Sequence, residues 1–170
     1  MTTSRAVAQA VKETLDTYLL PELRTLNLPA PSAVELRDEE ALKPEKLPAV
    51  FVFLSGWRQG TGGEDATIGL DGFIRREYRF SVYVGDIAQG DRDPTETVPQ
   101  MLDVVCATLE EHYRLPCSFA PDGIADDLNV LSAELSPVLR SAGSSKLVRY
   151  GRIEFSAVIV RQRQTHGGET

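Results

Sequence analysis

Apolar residues recur at helical spacing near the start of the chain, where Val7, Val11, Leu15, Tyr18 and Leu19 share one face. Ser4 can cap the start and Pro21 lies near the end, so the pattern predicts an amphipathic helix from about residue 4 to 20 or a little beyond. The stretch that follows, LNLPAPSAVELRDEEALKPEKLP, carries four prolines and many charges. It reads as a surface connector with at most a turn around Ser32 to Leu42. Ala49 to Leu54 is then almost wholly apolar, as in a strand covered on both faces.

From Phe51 to Gly72 the chain reads FVFLSGWRQGTGGEDATIGLDG, with six glycines. Asp71-Gly72 sits between strand-like residues and predicts a hairpin turn, because both central positions of such a turn need φ > 0. The return strand, Ile74 to Val84, places Ile74, Tyr78, Phe80, Val82 and Val84 on one face. Arg75, Glu77, Arg79, Ser81 and Tyr83 form the other, which reads as polar. Asp93, Pro94 and Glu96 supply an N-cap, an N1 proline and an acid at N3 for a second helix. Its stripe is Val98, Met101, Leu102, Val105, Leu109 and Tyr113, and Pro116 stops it.

Leu128 to Leu135 and Leu147 to Val160 read as two further strands joined at Ser141 to Ser145. The predicted fold is α+β: a two-layer sandwich of a mainly antiparallel sheet with two helices packed on it, in the order α-β-β-α-β-β, with an extended β-hairpin arm. We expect one domain over residues 1–163, with the hairpin or loop insertion at about 56–73 and a flexible tail at 164–170.

Composition narrows the class. The 170 residues are 42% hydrophobic and 25% charged, the balance of a soluble globular chain. The apolar runs are far short of the roughly 20 residues that a spanning helix needs, so no membrane contact is expected. The N-terminus MTTSRAVAQAVKE lacks an apolar signal core, which points to synthesis and use in the cytoplasm. Two cysteines, Cys106 and Cys117, and two histidines are too few for a structural zinc site and read as free thiols in a reducing compartment.

The net charge of −7 opposes a surface built to grip duplex DNA. Its distribution is uneven: Arg140 to Arg163 holds six basic residues and one acid, Glu154, while acids gather at 35–40, 64–65, 86–93 and 122–127. Basic strands and acidic loops are complementary surfaces on one chain, suited to copies that meet head to tail.

Catalytic signatures fail on inspection. A phosphate loop needs Gly-Lys-Ser or Gly-Lys-Thr before a helix, whereas this chain has Gln59-Gly60-Thr61 followed by Glu64 and Asp65. Ser55 lacks the preceding glycine of a nucleophile elbow, having Phe53 in its place. Cys106 and His112 are roughly 240° apart around a helix and cannot form a dyad. Asp86, Asp91 and Asp93 lack the alternation of a calcium loop. No cofactor or metal is called for. Trp57 beside Arg58 reads equally as an interface anchor or a core residue.

The N-terminal amphipathic helix, FVFL, YRFSVYV with its acidic loop, the helix TETVPQMLDVVCATLEEHY and the closing strand GRIEFSAVIV together resemble the tail-terminator or tail-completion proteins of long-tailed bacteriophages. The likeness covers about residues 4 to 160, and the long 56–72 insertion departs from compact members. It implies a non-enzymatic virion protein of the tail or neck, assembled in host cytoplasm. That protein is a hexameric ring capping the tail tube and joining it to head-completion proteins, with DNA only passing transiently through an acidic lumen.

Contacts are then expected from Trp57 and Arg58 at the mouth of the glycine-rich stretch and from Glu64, Asp65 and Asp71 within it. Further contacts are expected from Asp86 and Asp91 in the next loop and from the strand cations Arg75, Arg79, Arg149, Arg152 and Arg161, basic strands of one subunit meeting acidic loops of the next. The glycine-rich segment itself reads as an arm toward a neighbouring subunit or the tube. Alternatives from the sequence are a small ligand-binding or enzymatic domain, with a site built from Ser55, Trp57 and the Asp86 to Asp93 loop, and another neck or tail subunit such as a head-closure adaptor or tail tube protein.

Overall fold

The computed structural model describes residues 4–37, 46–59 and 73–162. Helix α1 (Ser4–Thr14), a π-helical turn (Leu15–Leu19) and α2 (Leu20–Thr25) form one continuous helical run. The widened turn lies just before Pro21, which has no N–H to give the Thr17 carbonyl and whose ring crowds it. The apolar stripe is buried at Val7, Val11, Leu15 and Leu19. Tyr18 is an exception, half-exposed and stacked on His112 at 3.7 Å between ring centroids.

Strand β1 (Glu35–Arg37) pairs parallel with β2 (Ala49–Gln59), so the proline-rich connector contains a short strand where only a turn was expected. Strand β2 pairs antiparallel with β3 (Phe73–Ile87) as far as Gln59↔Arg76. A bulge between Leu54 and Gly56 carries β2 past the point where its apolar run ends. Residues 56–59 and 73 therefore belong to strands, and the rest of the expected 56–73 insertion, residues 60–72, lies outside the described residues. The hairpin turn predicted at Asp71-Gly72 lies outside the described residues.

Helix α3 (Pro94–Glu111) begins as its cap signals predict, with the Asp93 carboxylate accepting from the Thr95 N–H at 2.9 Å. It ends earlier than expected: Tyr113 falls beyond it, half-exposed, and Leu115 takes a φ of 54° before Pro116. Strands β4 (Asp127–Leu135), β5 (Leu139–Arg140) and β6 (Leu147–Gln162) complete a sheet of order β1-β2-β3-β6-β4, with β5 also on β6. Only the β1 pairing is parallel. Both helical runs pack on one sheet face over Val52, Tyr78, Phe80, Val82, Ile153 and Phe155, giving the expected α+β layering.

The second face is less polar than the alternation suggests. Tyr83 and Ser81 are buried there, and Phe51 stacks on Tyr83 with centroids 4.8 Å apart. The Arg37 guanidinium lies 4.5 Å over the Phe51 ring and the Arg152 guanidinium 5.8 Å over Tyr83. The guanidinium heads themselves thus lie over the aromatic faces, a cation–π arrangement.

Helix α3 is held close to the sheet at two points. Gly151 permits the approach, since a Cβ there would lie 2.6 Å from Leu102 Cδ1. Pro99 lies inside the helix and has no N–H for the Thr95 carbonyl four residues back. Arg149 of β6 takes that carbonyl, donating from Nη1 at 3.2 Å, and its Nε donates to the Ser136 carbonyl at 3.1 Å. Replacing Arg149 with Ala is expected to lower unfolding free energy by about 1–2 kcal/mol. In a Pro99→Ala background the loss should be smaller, because the new N–H satisfies Thr95; equal losses in urea titrations of both backgrounds would refute the link.

Candidate assembly surface

The sequence-expected contact residues separate into two groups in the fold. Arg58, Arg75, Arg79 and Arg152 share the sheet face opposite the helices, as their registers show: Arg58 opposes Glu77, Arg75 opposes Val160, Arg79 opposes Ser156, and Arg152 opposes Tyr83. Arg58 pairs with Glu77 at 2.8 Å, and Arg79 and Arg152 approach Glu154 at 4.0 and 3.8 Å. Arg152 also donates to the Ser81 hydroxyl at 3.2 Å. The face is a network of arginines and two glutamates with its cations concentrated on β2 and β3.

Asp86 does not belong to any surface. It is fully buried, accepts from the Thr97 hydroxyl at 2.7 Å and pairs with Arg92 at 3.0 Å, which corrects its expected place among the contact acids. The physical reason is parity: Asp86 continues the inward series Tyr78, Phe80, Val82, Val84 and meets the first turns of α3. Asp91 is exposed in the turn closed by the Gln89↔Arg92 bridge. Arg149 serves Thr95 and Ser136 as described, and Arg161 lies half-buried near the end of β6. Glu64, Asp65 and Asp71 lie outside the described residues.

Trp57 is 51% exposed at the outer end of β2, with the Arg76 guanidinium 4.8 Å over its ring. The alternative site of Ser55, Trp57 and the Asp86 to Asp93 loop is not assembled. The Ser55 hydroxyl donates to the Arg79 carbonyl, seven residues of β3 away from Asp86, or roughly 20 Å along an extended strand. Cys106 is half-buried in α3; burial, then the charges of Glu110 and Asp103, push its thiol up from the ordinary range and keep it protonated.

Among the described residues no group of three or more His, Cys, Asp or Glu side chains is placed to hold a metal ion, and no helix is long and apolar enough to cross a membrane. The helix layer is acidic where the sheet face is basic: α3 carries Glu96, Asp103, Glu110 and Glu111 and no Lys or Arg. A recess of about 570 Å³ between Tyr18, Glu22 and Leu26 and the Asp103–His112 side of α3 lies on that layer, and its three carboxylates are exposed.

The fold has likenesses among solved structures. The chain is similar to the sheath/tube terminator, in its extended state, of an extracellular contractile injection system, PVC, seen by cryo-EM. The TM-score is 0.50 and the identity 14%, over 100% of this chain and 60% of that one. At that identity the likeness shows a shared fold, and the chain spans 60% of the neighbour's length. No family model matches the chain, and no curated protein matches it.

Sequence reasoning missed Arg37, Phe51 and Tyr83 as a stacked unit and Arg76 as the partner of Trp57. Period-two alternation carried as far as Asp86 would have found its inward placement; the stacks depend on register between strands far apart in sequence and leave no local signal.

The Arg58–Glu77 pair has a pH signature. Burial pushes the Glu77 carboxyl up, but the hydrogen bond and charge of Arg58, a hydrogen bond with Ser156 and the charge of Arg79 outweigh it and hold the group below the ordinary 4.5. A carboxylate depressed in the folded state contributes stability that is full above its unfolded value and is lost as pH falls through the folded one. Stability measured by urea titration should therefore fall as pH drops below about 4.5, and less steeply in Glu77→Gln. Identical acid profiles for the two proteins would refute this assignment.

Proposed function

We propose that the chain is a tail-terminator subunit: a structural protein that forms a ring on the end of a tail-type tube and joins it to the neck or head of a bacteriophage particle. The observation that carries this reading is the whole-chain likeness in fold to a sheath/tube terminator. The charge layout supports it, because an acidic helix layer and a basic sheet face on one subunit favour ordered contacts between copies and with neighbours. The scattered placement of Ser55, Trp57 and Asp86 supports a binding role over catalysis. The overall charge of −7 suits a ring through which DNA passes without being gripped.

The ring is a hexamer in this reading, with the tail tube protein on one side and head-completion proteins on the other. The contact residues are Trp57, Arg58, Arg75, Arg79, Asp91, Arg152 and Arg161, joined by Glu64, Asp65 and Asp71 of the arm.

Light scattering with negative-stain imaging tests the reading. The expected result is closed rings of roughly six times the 18.7 kDa subunit mass, alone or on the ends of purified tubes. A chain that stays monomeric in both conditions and leaves tube ends bare would overturn it.

A further inference from the structure

The sheet leaves two edges unpaired among the described residues, and they lie on opposite sides. On one side β1 pairs only with Phe51–Phe53 of β2, so the outer edge of β2 from Leu54 to Gln59 has no partner strand. On the other side β4 pairs with β6 alone. Edge strands are ordinarily protected by charged side chains such as Lys, by Pro, by bulges or by short length. Strand β4, with sequence DLNVLSAEL, has nine residues and neither Lys nor Pro.

Its single irregularity, between Val130 and Ser132, places Leu131 in solvent. Leu131, Leu135, Val138 and Leu139 are between 38% and 49% exposed, an apolar strip along this edge. The half-exposed Trp57 stands on the opposite, β2 edge.

Charge distinguishes the two edges. From Asp122 to Leu135 the chain has four acids, Asp122, Asp126, Asp127 and Glu134, and no cation. The end of the β2–β3 pair has Arg58, Arg75, Arg76 and Arg79 against Glu77. Strand direction is also compatible. Strands β2, β3, β6 and β4 alternate in direction, so a second copy related by rotation about an axis along the strands brings its β4 antiparallel to this β2.

We propose that the ring closes by strand addition: the outer edge of β4 in one copy pairs antiparallel with the outer edge of β2, Leu54–Gln59, in the next. The occupant of each edge is a second copy of this chain. Backbone hydrogen bonds supply the pairing, Trp57 and Leu135 of the leucine strip are covered, and Arg58 meets Glu134, the acid on its own sheet face at that end of β4. Because the two edges differ, the contact is head to tail and builds closed rings instead of pairs. The inference rests on the ring reading above.

Two chains with opposite reversals test it. Arg58→Glu sets an acid against Glu134, and Glu134→Arg sets a cation against Arg58. Each variant alone should stay monomeric under conditions in which the wild type forms rings. An equal mixture should recover ring mass, because alternating copies restore opposite charges at every contact and a hexamer accommodates alternation. Recovery on mixing also shows that both variants are folded.

Trp57, the single tryptophan, reports on the unmodified chain: its emission should shift to the blue and lose acrylamide quenching as rings form. Wild-type rings with an unchanged Trp57 signal, or rings formed by either variant alone, would overturn edge pairing and leave the ring reading standing. A wild type that stays monomeric even on tubes overturns the ring reading itself.

Discussion

The register of β3 against β6 fixes almost everything else in this fold. The two strands pair without interruption from Phe73↔Gln162 to Ile87↔Val148, across the centre of the sheet. Side chains alternate between faces along a strand, so a slip of β6 by one residue against β3 would send Phe155 and Ile153 to the arginine face and Arg152 into the helix layer. The uninterrupted pairing also makes the central strands a rigid base from which β2 and β4 present their outer edges.

At one end of that base the polar interactions are internal. Asp86 is fully buried yet joined to Thr97 and Arg92, so the end of β3, the 89–92 turn and the first turns of α3 are tied to one carboxylate. Removing one partner of a buried ion pair leaves the other uncompensated, and so the junction is sensitive to substitution. Arg149 acts nearby by supplying the donor that Pro99 withholds from Thr95. Toward the other end of β2 and β3 the polar groups face solvent, in arginine–glutamate pairs around Arg58 and Arg79. The same residue types are buried in a junction at one end and face solvent at the other.

Much of this was legible in the sequence because it rests on local periodicity. The N-terminal helix, α3 with its Asp93-Pro94 start, β3 and β6 all follow from spacing and caps. What escaped depended on partners distant along the chain. Strand β1 is three residues in a proline-rich connector and exists because β2 offers it an edge. The extension of β2 to Gln59 goes against its glycine and polar composition and is carried by pairing with β3 through Arg76. The Phe51–Tyr83 stack joins residues that period-two reading assigns to separate strands, and only the pairing Phe51↔Tyr83 brings them together. Of the candidate contact residues, the outward arginines of β3 and β6 were readable from alternation, and Asp86 was misplaced because its loop-like acidic context masked its parity with Val84.

An assembly role changes what counts as a site. A catalytic centre draws groups into a recess where burial shifts their proton affinities, whereas here Ser55, Cys106 and Asp86 lie on separate elements and each has a local structural contact. The groups left over lie at the margins of the sheet: a half-exposed tryptophan on one edge, leucines on the other, cations beside the first and acids beside the second. Exposed apolar edges are hazardous for a solitary soluble chain because they invite aggregation. Complementary charge on the two edges favours head-to-tail contact, which closes on itself when the rotation between successive copies completes a turn. In the proposed closed ring both edges of every copy are used, so features that are a liability in the free chain become interior contacts.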